Sequence, residues 1–127
     1  MLINVETAKG VKEVRERLEE VAKSKGFGVM SVHEVTNILD SKGFPIDYEC
    51  VIVEVCQPKS ASEVLSKNPY ISTAMPCRIS IFRRGEKTVL STIAPTEMIK
   101  MYNEPQLEDI ARKVEDQIRE IMEESAK

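Results

Sequence analysis

The chain has 127 residues, 42% hydrophobic and 31% charged, a balance that fits one globular domain over 1–127 and excludes a disordered or fibrous chain. Its 18 Lys and Arg are interleaved with 21 Asp and Glu for a net charge of -3, so nucleic-acid binding by phosphate neutralisation is not expected. No apolar run approaches the roughly 18 residues of a membrane span, and Met1 to Lys9 lacks the basic flank and apolar core of a signal peptide, so a cytoplasmic protein with no membrane attachment is expected.

Leu2 to Glu6 alternates apolar and polar residues, as a short half-buried strand does. From Gly10 to Lys25, the positions Val11, Val14, Leu18, Val21 and Ala22 recur at three- and four-residue steps, which predicts an amphipathic helix stopped by Gly26 in a left-handed conformation. Phe27 to Thr36 alternates again and reads as a strand, followed by a short helical turn over Asn37 to Gly43. The strongest strand is Tyr48 to Cys56, with Val51, Val53 and Val55 on one face and Cys50, Ile52, Glu54 and Cys56 on the other.

Pro58 stops that strand, and Ala61, Val64 and Leu65 at helical spacing predict a short helix over Ser60 to Lys67 with Ser60 as its N-cap. Cys77 to Arg83 and Lys87 to Ile93 are two strands joined through Arg84-Gly85-Glu86, a tight hairpin that needs its glycine. One or two helical turns follow over Thr96 to Tyr102. Asn103 then caps a final helix with Pro105 in its first turn and an apolar stripe of Leu107, Ile110, Ala111, Val114, Ile118, Ile121 and Met122.

The fold class is therefore α+β, in the order β-α-β4-α. Two main amphipathic helices lie on one face of an antiparallel sheet, with a short helical insertion between strands. Ile52, Ile79, Ile81, Val89 and Ile93 are more apolar material than one covered face requires, and a homodimer that buries the second face is the simplest expectation. Few Gln and Asn against many Lys, Glu, Ile and Val point toward a heat-loving source.

Gly26-Phe27-Gly28-Val29, Cys56-Gln57-Pro58-Lys59, Pro76-Cys77 and Ser91-Thr92-Ile93-Ala94-Pro95 occur in this order, and with this spacing the chain resembles the domain of unknown function 302 family from about Val5 to Glu123. The resemblance implies a fold similar to the TATA-binding-protein-like arrangement, usually assembled as a dimer, and no established reaction. DNA binding does not come with that fold name, since fold does not fix function. The family pattern has Asn between the Cys and the Pro where this chain has Gln57, so a longer and less effective cap is expected for the following helix.

Cys56, Cys77, Met75 and Pro58 form the candidate site. Cys56 ends a strand just before Pro58 and a short helix, whose N-terminus could lower its pKa and favour the thiolate. Cys77 opens the next strand behind Met75 and Pro76, and meets Cys56 only if the short helix returns the chain antiparallel. Two thiols and a thioether would then suit Cu(I), thiol exchange or a reversible disulfide, whereas the simpler reading is two small buried hydrophobes. No CxxC or His-rich spacing supports a metal, no nucleotide-binding loop is present, and no cofactor is implied.

His33, the single histidine, has no triad partner in the sequence and reads as structural or surface. Arg78, Arg83 and Arg84 could hold an anion, but Arg84 beside Gly85 and Glu86 is more simply a solvated turn. Met98, Met101 and Tyr102 could edge a pocket or serve core and dimer packing. With no complete catalytic constellation, the sequence points to a non-enzymatic ligand-binding or interaction homodimer. The alternative is a thiol-redox or soft-metal protein using Cys56 and Cys77.

Overall fold

The long apolar stripes dictate the architecture. In the computed structural model, which describes residues 1–127, α1 (Val11–Ser24) buries Val11, Val14, Leu18, Val21 and Ala22. The C-terminal helix, Glu108–Ala126, buries Ala111, Ile118, Ile121 and Met122. Both lie on one face of a five-stranded, wholly antiparallel sheet in the order β1-β5-β4-β3-β2. The strands are β1 (Leu2–Thr7), β2 (Gly28–Glu34), β3 (Cys50–Cys56), β4 (Cys77–Arg84) and β5 (Lys87–Ile93).

Three shorter helices complete the chain: α2 (Val35–Ser41), α3 (Pro58–Lys67) and α4 (Pro95–Met98), which makes the C-terminal helix α5. Turns of 3-10 helix fill Pro69–Ala74, Ile99–Tyr102 and Pro105–Leu107. One strand, a helix, four strands and a helix are thus the main order, with α2 and α3 inserted between strands.

Period-two alternation assigns the sheet faces. Val51, Val53 and Val55 of β3, Ile79 and Ile81 of β4 and Leu90 of β5 join the stripes of α1 and α5 in a core cluster of 17 buried residues. Fully burying each such side chain contributes roughly 1.5–3 kcal/mol before entropy is counted. Ile79 and Ile81, grouped by sequence with the surplus apolar residues, therefore lie under the helices. The opposite face keeps Leu2 (60% exposed) and Ile93 (50% exposed), which are direct cross-strand partners, and the half-buried Ile52 and Phe82.

Local chemistry sets the element ends. Gly26 adopts φ 83°, and the N–H groups of Gly26 and Phe27 donate to the carbonyls of Lys23 and Ala22, the paired closure of a left-handed helix stop. The β4–β5 hairpin turns on Gly85 (φ 62°) and Glu86, with Arg84 paired to Lys87. A positive φ at the first turn residue matches the right-handed twist of the strands. The final helix differs from expectation: Asn103 takes φ 53° and ends the turn before it, and Pro105–Leu107 forms a 3-10 turn that leads into α5.

Candidate functional site

Because β3 and β4 are antiparallel and Val55 pairs with Cys77, Cys56 and Cys77 lie at the same end of the sheet, one residue out of register. Both line one cavity together with Met75. Cys77 follows the alternation of Ile79 and Ile81 toward the helices, and Cys56 reaches the cavity as the last residue of its strand. Pro58 is exposed and does not line the cavity. It occupies the first turn of α3, where its fixed φ suits a helix start and its missing N–H costs no hydrogen bond.

Gln57, not Ser60, is the N-cap of α3: its Oε1 accepts a hydrogen bond from the Ser60 N–H at 2.6 Å. The longer side chain thus performs the capping that was expected to suffer. This fixes the direction in which α3 leaves the sheet and presents Ala61 and Val64 to the cavity.

The cavity has an interior of about 90 Å³ and an open mouth. Its floor is Val55, Cys56 and Cys77, and α3 and α5 wall it with Ala61, Val64, Ile110, Ala111 and Val114. Ile71, Ala74 and Met75 close it on one side, and Pro95, Met98, Ile99 and Tyr102 on the other. No charged side chain lines it, and its polar groups besides the thiols are Gln57, Ser60 and Tyr102.

That environment decides the state of the sulfurs. Burial pushes the Cys77 thiol up to about 11, with the neighbouring Cys56 adding to the shift, and burial also raises Cys56. Desolvation is the cause of the rise at Cys56, so both groups are thiols near neutral pH, as in the simpler sequence reading of two small hydrophobes and unlike the thiolate alternative. All three cysteines are unbridged.

The segments that close the cavity are tied to each other and to α5 by side chains that sequence reading did not connect. Thr73 Oγ1 and Tyr102 Oη lie 2.6 Å apart, and Asn68 Nδ2 donates to Glu104 Oε1 at 3.2 Å. The buried Glu115 accepts from the Thr96 N–H (3.1 Å) and hydroxyl (2.7 Å), which anchors α4 on α5. Met98 and Tyr102, which the sequence offers as a pocket edge or, preferably, as core or dimer packing, line the cavity, and Met101 of the same group is 77% exposed.

The other candidates lie elsewhere. His33 Nε2 and Arg78 Nε both donate to Glu54, at 2.9 Å and 3.2 Å, on the sheet face away from the helices. Together they hold the Glu54 carboxyl below its ordinary range, with His33 the larger cause. Cross-strand register creates this cluster, since His33 pairs with Ile52 and Arg78 with Glu54. Arg83 is absorbed structurally, donating to the Lys9 and Gly85 carbonyls and to the Thr88 hydroxyl.

An α+β fold with helices packed on one side of an antiparallel sheet, and an apolar cavity where α3 and α5 meet the sheet end, is the class of protein this geometry defines. The model of the domain of unknown function DUF302 matches residues 3–125, so the chain belongs to that family. The crystal structure of an uncharacterized conserved DUF302 protein from Bacillus stearothermophilus is similar, with a TM-score of 0.93 and 32% identity over 98% of this chain and 97% of that one. No curated protein matches. No helix is long and apolar enough to cross a membrane.

Proposed function

We propose that the protein is a non-enzymatic ligand-binding domain whose ligand occupies the cavity between α3, α5 and the ends of β3 and β4. The observation that carries this reading is an apolar interior that opens to solvent and has no charged side chain in its lining. A concave, mainly apolar site with a few polar groups is the usual form of a small-molecule pocket. Acid–base or nucleophilic work gains little there, because its titratable groups are two raised thiols and a tyrosine.

Ala61→Phe, which places a ring in the cavity from α3, tests the site. Ligands that raise the melting temperature of the natural chain are expected to lose that effect in the variant. Equal shifts in both proteins would put binding elsewhere.

The same reading makes the working unit a homodimer in the cytoplasm of a heat-loving source, the last resting on composition alone. Leu2, Ile93, Ile52 and Phe82 form apolar ground on the sheet face opposite the helices, and a second copy related by a two-fold axis would cover it with the same residues. Sedimentation at micromolar concentration is expected to give a dimer that Ile93→Lys dissociates. A monomeric natural chain would count against it.

A second reading has one specific observation in its favour: Cys56, Cys77 and Met75 line the same cavity. Two thiols and a thioether are soft donors, suited to Cu(I) or to a reversible disulfide. Anaerobic titration with Cu(I) separates the readings, since tight uptake lost in Cys77→Ala and kept in Cys50→Ala would favour the soft-ion role.

A further inference from the structure

We infer that the cavity takes an uncharged, apolar molecule and admits it through the seam between the turns Pro69–Ala74 and Ile99–Tyr102. This rests on the proposal that the cavity is a ligand site and names the class of ligand and its route.

The class follows from what the lining can satisfy. A buried charge requires an opposite charge or several hydrogen-bond donors. No charged side chain reaches the cavity, the Gln57 carbonyl is committed to the Ser60 N–H, and the Tyr102 hydroxyl to Thr73, which leaves only neutral groups, the Gln57 amide N–H, the Ser60 hydroxyl and the two thiols. A carboxylate or ammonium would enter with no opposite charge to offset its desolvation, whereas a hydrocarbon group removes apolar wall from water. An engineered cavity of roughly 150 Å³ accepts benzene. The interior here is about 90 Å³ with an open mouth, smaller than that cavity, so it buries part of a ring or a short alkyl chain and the rest of the ligand sits in the mouth.

The route follows from how the covering segments are held. Ile71, Ile99, Leu107 and Ala111 form a buried cluster of their own, separate from the 17 residues of the main core. Opening the seam therefore disturbs only the smaller cluster. The side-chain ties across it, Thr73 to Tyr102 and Asn68 to Glu104, lie at the surface or half-buried, where a hydrogen bond contributes about 1 kcal/mol. α4 stays fixed on α5 through Glu115 and Thr96, which leaves the Ile99–Tyr102 turn as the part that swings. Small satellite clusters under surface turns are where local opening has its lowest free energy.

Cys77 reports both claims, because its thiol lies inside the cavity. In a Cys50→Ser/Cys56→Ser background, its labelling by methyl methanethiosulfonate is followed with and without toluene or benzoate, a matched neutral and anionic ring. Toluene is expected to slow labelling and benzoate to leave it unchanged. Tyr102→Phe and Asn68→Ala are each expected to speed labelling about fivefold, the equivalent of about 1 kcal/mol per tie, while amide exchange of the β3 and β4 core stays as in the parent.

Protection by benzoate equal to that by toluene would overturn the assignment of class. Labelling rates unchanged by both tie variants, or raised only together with exchange of the core, would overturn the route. Absence of toluene protection in variants that still label faster would remove the cavity's ligand and leave its entrance standing, so the two failures are distinguishable.

Discussion

Cys77 shows how much one half-buried sulfur constrains. Its thiol is pushed up from an ordinary 9.0 to about 11 in the folded chain. A raised folded value means that the native state holds its proton where the unfolded chain has lost it. The associated stability is complete below the unfolded value and is lost as pH rises through the folded one. We predict that denaturant titrations from pH 7 to pH 11 show an alkaline fall that Cys77→Ala reduces by about 2–3 kcal/mol, since each tenfold change in an ionisation constant is worth about 1.4 kcal/mol. Glu54 has the opposite sign. His33 and Arg78 hold its carboxyl low, so its contribution is present above the ordinary carboxylate range and is lost as pH falls through the depressed value. Glu54→Gln should flatten the acid limb of the stability profile, and unchanged acid sensitivity in that variant would show that the ion pairs contribute nothing. The sequence placed both cysteines at strand ends, but whether those ends coincide depends on the β3–β4 pairing direction, which no local pattern encodes. The Glu54 cluster was hidden for the same reason, because its partners are 21 and 24 residues away in the chain.

Among the elements, periodicity located α1, β3, the β4–β5 hairpin and α5, since each has a long enough pattern to outweigh local alternatives. Short segments were less legible. α2 begins at Val35, inside what alternation reads as strand, and β2 carries an irregularity between Val29 and Ser31 that shifts its alternation. The Gln57 cap was underrated and Ser60 preferred because capping preference ranks short side chains first, yet in this backbone Oε1 reaches the Ser60 N–H. Gln57→Ala should cost about 1 kcal/mol by loss of that bond and loosen α3, which faces the cavity, whereas Gln57→Asn should retain most of it. Urea unfolding of the two variants measures the difference, and equal stabilities would show that the bond is not the cause.

At the scale of the whole molecule, two amphipathic helices explain the main core, and the sheet's other face remains half apolar around Leu2, Ile52 and Ile93. The sequence made that surplus visible but assigned Ile79 and Ile81 to it, because two neighbouring strands with similar patterns do not reveal which face each presents. The cavity lies at the junction of seven segments, and its lining residues are spread from Val55 to Val114. Proximity of that kind is a product of topology alone, so only its sulfur atoms and the Met98–Tyr102 edge could be singled out beforehand. The molecule thus has two apolar surfaces that could take a small apolar probe, the cavity and the open sheet face. The most direct measurement is therefore a methyl-resolved NMR titration of the natural chain with toluene. We predict saturable shifts confined to Val64, Ile71, Met98 and Ile110 around the cavity, with Leu2 and Ile93 unmoved. Shifts confined to Leu2, Ile52 and Ile93 on the open sheet face, or none at saturation, would contradict the assignment of the cavity as the ligand site.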